Sequence, residues 1–350
     1  MHDHAHEPTG LRQQLAELLV CPRCGARLVD RHAPAGKESF VCTECAAEYP
    51  VVDGMPIFLI GNAGDDASAL VFDQQWKMHA EGLYEKDTLY GETAEQELRS
   101  FLERFEIQAP AELAGKRILD IGCGSGRLTR NLARWAPHAE VVGGELSNSA
   151  LLAHLRCRDA ANAFIVQMDL HHPPFAPESF DFVYADGVLP HVPDPEAGLA
   201  CLDRLTRPGG RLFLWIYPRR FSPYRALRDL LPRLHRLPGA LQRMLEWSLA
   251  VPIWAAFKFC EPLRGPRRRS LREVVFQVHD NLAPPYQHRR SVEEVMSSLA
   301  RLGYVNVQAH APLVGVAGVK PVVREASEGR ASSSSEAPRD QGRRETGQLR

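Results

Sequence analysis

The sequence predicts an α/β fold: an open, doubly wound, mainly parallel sheet, preceded by a small cysteine-bearing unit and interrupted by a helical insertion. Strand-length apolar runs alternate with helical patterns over residues 116–217, two Cys-x-x-Cys pairs stand ahead of them, and an Arg-rich amphipathic stretch breaks the alternation from residue 218.

The apolar runs lie at 117–121, 139–143, 163–167, 180–185 and 211–217. A further helix (Ser291 to Leu302) and strand (Tyr304 to Ala309) follow the insertion. The predicted organisation is a disordered start (1–14, with His2, His4 and His6), a cysteine unit (15–60), a linker with helices (61–115), a main domain (116–320, with a helical insertion or lid at 218–290) and a disordered Ser/Glu/Arg-rich tail (321–350).

With 350 residues, 44% hydrophobic and 24% charged, the chain suffices for one large domain and one small one. The net charge of −1 hides twelve Arg/Lys against three Asp/Glu between Pro218 and Ser270. That balance argues against a chain-wide grip on nucleic acid and leaves one segment suited to an anionic partner. A polar start and the absence of any long uncharged apolar stretch predict a cytoplasmic protein. Eight cysteines, four of them in two tight pairs, fit a reducing compartment with one metal site.

Cys21, Cys24, Cys42 and Cys45 form a C-x2-C-x17-C-x2-C pattern. Two residues between thiolates let both reach one tetrahedral ion at about 2.3 Å, and four protein ligands close the site, so a structural Zn²⁺ is expected. With Leu18-Leu19-Val20 before the first pair and Tyr49-Pro50-Val51-Val52-Asp53-Gly54-Met55-Pro56 after the second, this stretch resembles the small zinc-ribbon activators of tRNA and protein methyltransferases. The resemblance implies a ribbon that covers apolar surface of a methyltransferase, here in the same chain.

The loop Asp120-Ile121-Gly122-Cys123-Gly124-Ser125-Gly126 follows a short apolar strand and opens a helical pattern. Such a loop brings bare backbone against a nucleotide-like ligand. A pyrophosphate would be repelled by Asp120, whereas an ammonium and a sulfonium would be attracted, which favours S-adenosylmethionine over a dinucleotide. Acids recur at later strand tips: Glu145, nineteen residues beyond Gly126 and suited to ribose hydroxyls, then Asp169 and Asp186.

Together with Leu205-Thr206-Arg207-Pro208-Gly209-Gly210-Arg211-Leu212 before the fifth strand, these residues resemble the class I S-adenosylmethionine-dependent methyltransferases of the type-11 group, over about Phe72 to Lys320 with the insertion unmatched. The resemblance implies a Rossmann-like seven-stranded sheet. It places the methionine part of the cofactor on Asp120, Gly122, Cys123, Gly124 and Gly126, the ribose on Glu145 with Leu146, and the adenine on Asp169 with Leu170; Asp186 stands beside the reacting centre. Glu145 replaces the group's commoner Asp, and Pro190 stands where a His is common, leaving His191.

Methyl transfer needs alignment of nucleophile and methyl, and an oxygen nucleophile also loses a proton. His191 is the candidate base, with a pocket-shaping role as the alternative. Trp76, Tyr286 and His288 are candidate acceptor contacts. In the insertion, Tyr224, Leu227, Leu231 and Leu234 share a helical face, Arg225, Arg228 and Arg236 lie off it, and an apolar run from Leu249 to Phe257 with a kink at Pro252 leads to Arg264, Arg267, Arg268 and Arg269. This pattern suits either a lid or a peripheral membrane contact. Three functions fit: methyl transfer to a small-molecule, glycan, quinone or lipid-like acceptor; methyl transfer to tRNA or rRNA; and a cofactor-binding scaffold without turnover.

Overall fold

The computed structural model describes residues 17–32, 38–61, 63–84, 88–89, 91–219, 227–228, 237–264, 270–310 and 315–322. The predicted disordered ends fall outside these residues, apart from Pro321 and Val322 of the tail. So do Tyr224, Leu231, Leu234, Arg225, Arg236, Arg267, Arg268 and Arg269 of the insertion.

Four short strands begin the chain: β1 (Leu28–His32), β2 (Glu38–Cys42), β3 (Glu48–Val52) and β4 (Met55–Phe58), paired antiparallel in sequence order. Asp53 and Gly54 join the last two with φ of +51° and +87°. Two positive φ values in a two-residue loop match the right-handed twist of a hairpin, and Asp-Gly tolerates them. Helix α1 (Ala67–Ala80) starts where Asp66 accepts from the Ser68 amide, and α2 (Ala94–Arg104) where Thr93 and Gln96 cap each other.

The alternation then runs β5 (Arg117–Ile121), α3 (Arg127–Trp135), β6 (Glu140–Glu145), α4 (Ser149–Cys157), β7 (Ala163–Met168), β8 (Phe180–Ala185), α5 (Pro195–Leu205) and β9 (Thr206–Trp215). A short β10 (Tyr217–Pro218) precedes the insertion helices α6 (Gly239–Arg264) and α7 (Leu271–Leu282) and pairs with β11 (Arg289–Arg290). Helix α8 (Val292–Arg301), β12 (Val305–His310) and β13 (Gly315–Val319) complete the described chain.

One sheet of eleven strands results, in the order β1-β2-β3-β4-β7-β6-β5-β8-β9-β13-β12. Strands β4 to β9 of that order are parallel to one another, and β13 is antiparallel to both its neighbours. The seven strands from β7 to β12 are the predicted Rossmann-like sheet, with the cysteine unit added at the β7 edge. The sequence reading stops at the strand before β13. Gly-Val-Ala-Gly-Val carries little strand signal, and its small residues serve packing, since a Cβ on Gly315 would lie 2.6 Å from the Phe213 ring. Helix α6 passes through Pro252 as one helix.

The cysteine unit shares the core of the sheet. Leu18, Leu19, Leu28, Phe40, Tyr49 and Phe58 bury in one cluster with Val166, Met168, Phe175 and Phe180. The Phe58 ring lies 5.6 Å from that of Phe40 and 5.2 Å from that of Tyr49. A second cluster lies between α1, α6 and α7, where Trp76, Met78 and Tyr84 meet Ala250, Val274, Val275 and Val278. Among the described residues no helix is long and apolar enough to cross a membrane.

Candidate functional site

The Sγ atoms of Cys21, Cys24, Cys42 and Cys45 all lie within 4.8 Å of one another, with Cys21–Cys45 at 3.6 Å and Cys24–Cys42 at 3.4 Å. Thiolates around one tetrahedral ion at about 2.3 Å are about 3.8 Å apart, so this set is close to the spacing of a four-thiolate Zn²⁺ site. Burial opposes the Cys42 thiolate, but the Cys45 and Glu44 amides outweigh it and bring the thiol to about 6. The hairpin tip of the unit rests on the main domain: the Asp53 carbonyl is 2.9 Å from Nε2 of His154 on α4.

Gly122, Gly124 and Gly126 have φ of +68°, +55° and +73°, and none has room for a side chain. A Cβ would lie 2.5 Å from Val188 at Gly122, 2.3 Å from the Trp76 indole at Gly124 and 2.8 Å from Ala153 at Gly126. The glycines are thus required by conformation and by close approach together. The loop is a bare-backbone turn held between α1, α4 and the segment after β8.

Glu145, buried at the tip of β6, accepts from the Gly124 amide (3.0 Å) and from the Ser147 amide (2.9 Å) and hydroxyl (2.8 Å), tying that tip to the turn. Asp120, also buried, accepts from Thr129 Oγ1 at 2.6 Å. Burial, reinforced by Glu97, Asp186 and Glu145, pushes its carboxyl up to about 7, and burial likewise raises Glu145. Two desolvated carboxyls beside a glycine turn favour a cationic ligand. Burial also pushes the Cys123 thiol well up, which keeps it neutral. The Leu146 carbonyl accepts from Gln167 at 3.1 Å, and Leu170 is buried.

The other two acids have partners within the chain. Asp169 accepts from His171 Nδ1 and His172 Nδ1, each at 3.2 Å. Burial opposes its charge, yet these histidines hold it at about 2. His171 Nε2 also lies 3.1 Å from the Asp194 carbonyl, and the hydrogen bond with Asp169 raises the His171 pKa. Asp186 takes Arg104 at 2.6 Å and the Tyr184 hydroxyl at 2.7 Å.

His191, Tyr286 and His288 do come together. His191 Nδ1 lies 2.9 Å from the Tyr286 carbonyl, which can only accept, so Nδ1 carries the proton and Nε2 keeps a lone pair. Burial lowers the His191 pKa and keeps the ring neutral. The His288 amide donates to the Pro190 carbonyl (2.8 Å) and its Nε2 to the Val192 carbonyl (3.0 Å), lacing the two segments. From the other side, Phe72 packs edge-on to His191 at 5.1 Å between ring centroids, and Ser68 Oγ donates to the His191 carbonyl at 3.1 Å. Sequence reading singled out neither Ser68 nor Gln75 of α1, nor Val188; the four-residue spacing of Ser68, Phe72 and Trp76 is the signal that places them on one face.

A parallel sheet with a glycine turn and buried acids at its strand tips is a Rossmann-like arrangement, here joined to a four-cysteine unit. Residues 119–214 match the family described as "Methyltransferase domain", and residues 12–54 match the family described as "Trm112p-like protein". Ubiquinone biosynthesis O-methyltransferase of Aromatoleum aromaticum is 40% identical over 125 residues, 34% of this chain and 51% of that protein. The protein of the same description from Azoarcus sp. is 35% identical over 137 residues, 36% of this chain and 58% of that protein. The chain thus spans about half the length of these curated relatives. The crystal structure of magnesium protoporphyrin IX methyltransferase from Synechocystis PCC 6803 aligns with 72% of this chain and 97% of that one, at 15% identity and a TM-score of 0.45.

Proposed function

We propose that this protein is an S-adenosylmethionine-dependent O-methyltransferase whose acceptor is a quinone-like phenol. The observation that carries the reading is the cradle: three positive-φ glycines without room for a Cβ, with buried Asp120 and Glu145 beside them. The methyltransferase-domain match spans this segment, and the relatives' description supplies the acceptor class. When bound, S-adenosylmethionine supplies a methyl group activated by sulfonium.

The chain's own residues do the rest. The Gly122–Gly126 backbone and Asp120 hold the methionine part, Glu145 with Leu146 the ribose, and Asp169 with Leu170 the adenine side. His191, locked through Nδ1, takes the acceptor hydroxyl proton at Nε2. Trp76, Tyr286 and His288 shape the acceptor side. The test is incubation of the full chain with labelled S-adenosylmethionine and a prenylated catechol. Labelled methyl ether is expected, and cofactor binding without any transfer would overturn the enzymatic reading.

The insertion favours a second element, contact with an anionic membrane surface. Leu241, Met244, Trp247, Val251 and Phe259 are exposed along one face of α6, and Phe259 is 86% exposed. The insertion carries the excess of arginine noted in the sequence, and a lipid-like acceptor would be delivered from such a surface. Flotation with phosphatidylglycerol vesicles, weakened by salt and by Trp247→Ala with Phe259→Ala, is expected. Absence of binding at low salt would remove this element.

A further inference from the structure

Gln75 is fully buried, and among the described residues neither its amide nitrogen nor its amide oxygen has a hydrogen-bond partner. A carboxamide so placed carries the full cost of desolvation with nothing in return, and such groups in a native fold call for an explanation. Its position supplies one. On α1, Ser68, Phe72, Gln75 and Trp76 fall within an arc of about 100° at 3.6 residues per turn. Ser68 bonds the His191 carbonyl, Phe72 packs on the His191 ring, and the Trp76 indole covers Gly124. The carboxamide therefore stands on the helix face that bridges the loop histidine and the glycine turn.

We propose that Gln75 binds the α-amino-acid end of S-adenosylmethionine, its Nε2 donating to the carboxylate and its Oε1 accepting from the ammonium. This rests on the cofactor reading given above. The acids explain why a neutral group is needed: Asp120 and Glu145 favour the ammonium and sulfonium but repel the carboxylate. A carboxamide on the facing wall offers that carboxylate a donor, and a zwitterion satisfies both orphan atoms at once.

The test uses the full chain, with calorimetric titration of S-adenosylhomocysteine and of 5′-methylthioadenosine, which lacks the amino-acid end, alongside ligand-free melting temperatures. Gln75→Leu and Gln75→Met are expected to bind S-adenosylhomocysteine about tenfold or more weakly, to bind 5′-methylthioadenosine as wild type does, and to melt no lower than wild type, because an unpaired polar group has gone. Unchanged S-adenosylhomocysteine affinity would overturn the proposal, and an equal loss for both ligands or a lower melting temperature would mark Gln75 as structural. A rise only in acceptor KM would assign it to the acceptor and overturn it too. If the wild type binds neither ligand, the cofactor reading itself fails, and that outcome is distinct from all the others.

Discussion

Phe58 pairs with Met168 in parallel register, the second of two rungs that join β4 of the ribbon to β7 of the methyltransferase sheet. The Phe58 side chain is fully buried among residues of both units. An edge strand of a parallel sheet exposes unpaired amides and carbonyls, and here the ribbon covers that edge. The two family matches therefore fall on one continuous sheet with a shared core.

Phe58→Ala should cost about 3–5 kcal/mol, the usual loss for a large buried aromatic. Zinc release, followed with a chromogenic chelator, and tryptophan fluorescence should report one shared thermal transition, shifted downwards. Two separated transitions would show that the ribbon unfolds by itself.

Zinc removal should weaken the cofactor site from a distance. The Asp53 carbonyl meets His154, and the adjacent Ala153 backs Gly126. Cys42→Ser, or chelation, is expected to lower both the melting temperature and the affinity for S-adenosylhomocysteine. A metal-free chain with unchanged affinity would contradict this coupling.

Asp120 sets a pH dependence. Its folded pKa of about 7 lies above the ordinary 3.8, so the folded state holds the proton more tightly. Its contribution is full below about pH 4, falls as pH rises towards 7 and is flat above, with an upper limit of about 4 kcal/mol. Asp120→Asn should abolish that slope in melting temperatures measured from pH 5 to 8. A cationic ligand prefers the ionised carboxyl, so S-adenosylmethionine should bind the wild type more tightly at pH 8 than at pH 6, and the variant equally at both.

Gly124→Ala combines strain at φ +55° with a clash against Trp76. Binding of S-adenosylhomocysteine should fall at least about tenfold. The double variant Gly124→Ala with Trp76→Ala should recover part of it, since only the clash is relieved.

His191→Ala should lower kcat by about 10²–10⁴-fold and leave cofactor affinity near wild type, as expected for a proton acceptor. Activity of the wild type should persist to a pH below the usual histidine range, because burial depresses the His191 pKa. Full turnover by the variant would leave the ring a pocket-shaping role.

The alternation of strands and helices in the sheet was legible because periodicity, strand-tip acids and glycines agree with one another from Arg117 to Trp215. The cysteine spacing gave the ribbon its metal set. Strand β13 was not legible, because Gly315 and Gly318 lie close against Phe213 and Tyr304 and the segment carries no alternation. The pairing of β4 with β7 was equally hidden, since a two-rung parallel contact leaves no periodic trace. At the site, sequence placed the acids at strand tips but not their partners: Asp169 with His171 and His172, and Asp186 with Arg104 and Tyr184, are contacts made by folding.

The continuous sheet also settles a question of dosage. A ribbon that arrives as a separate molecule must be matched in abundance to its partner and is lost on dilution. Here the tether makes docking unimolecular, at an effective concentration that intermolecular association rarely reaches. Every copy is synthesised with its edge cover in hand, so occupancy of the β7 edge does not depend on the expression level of a second chain.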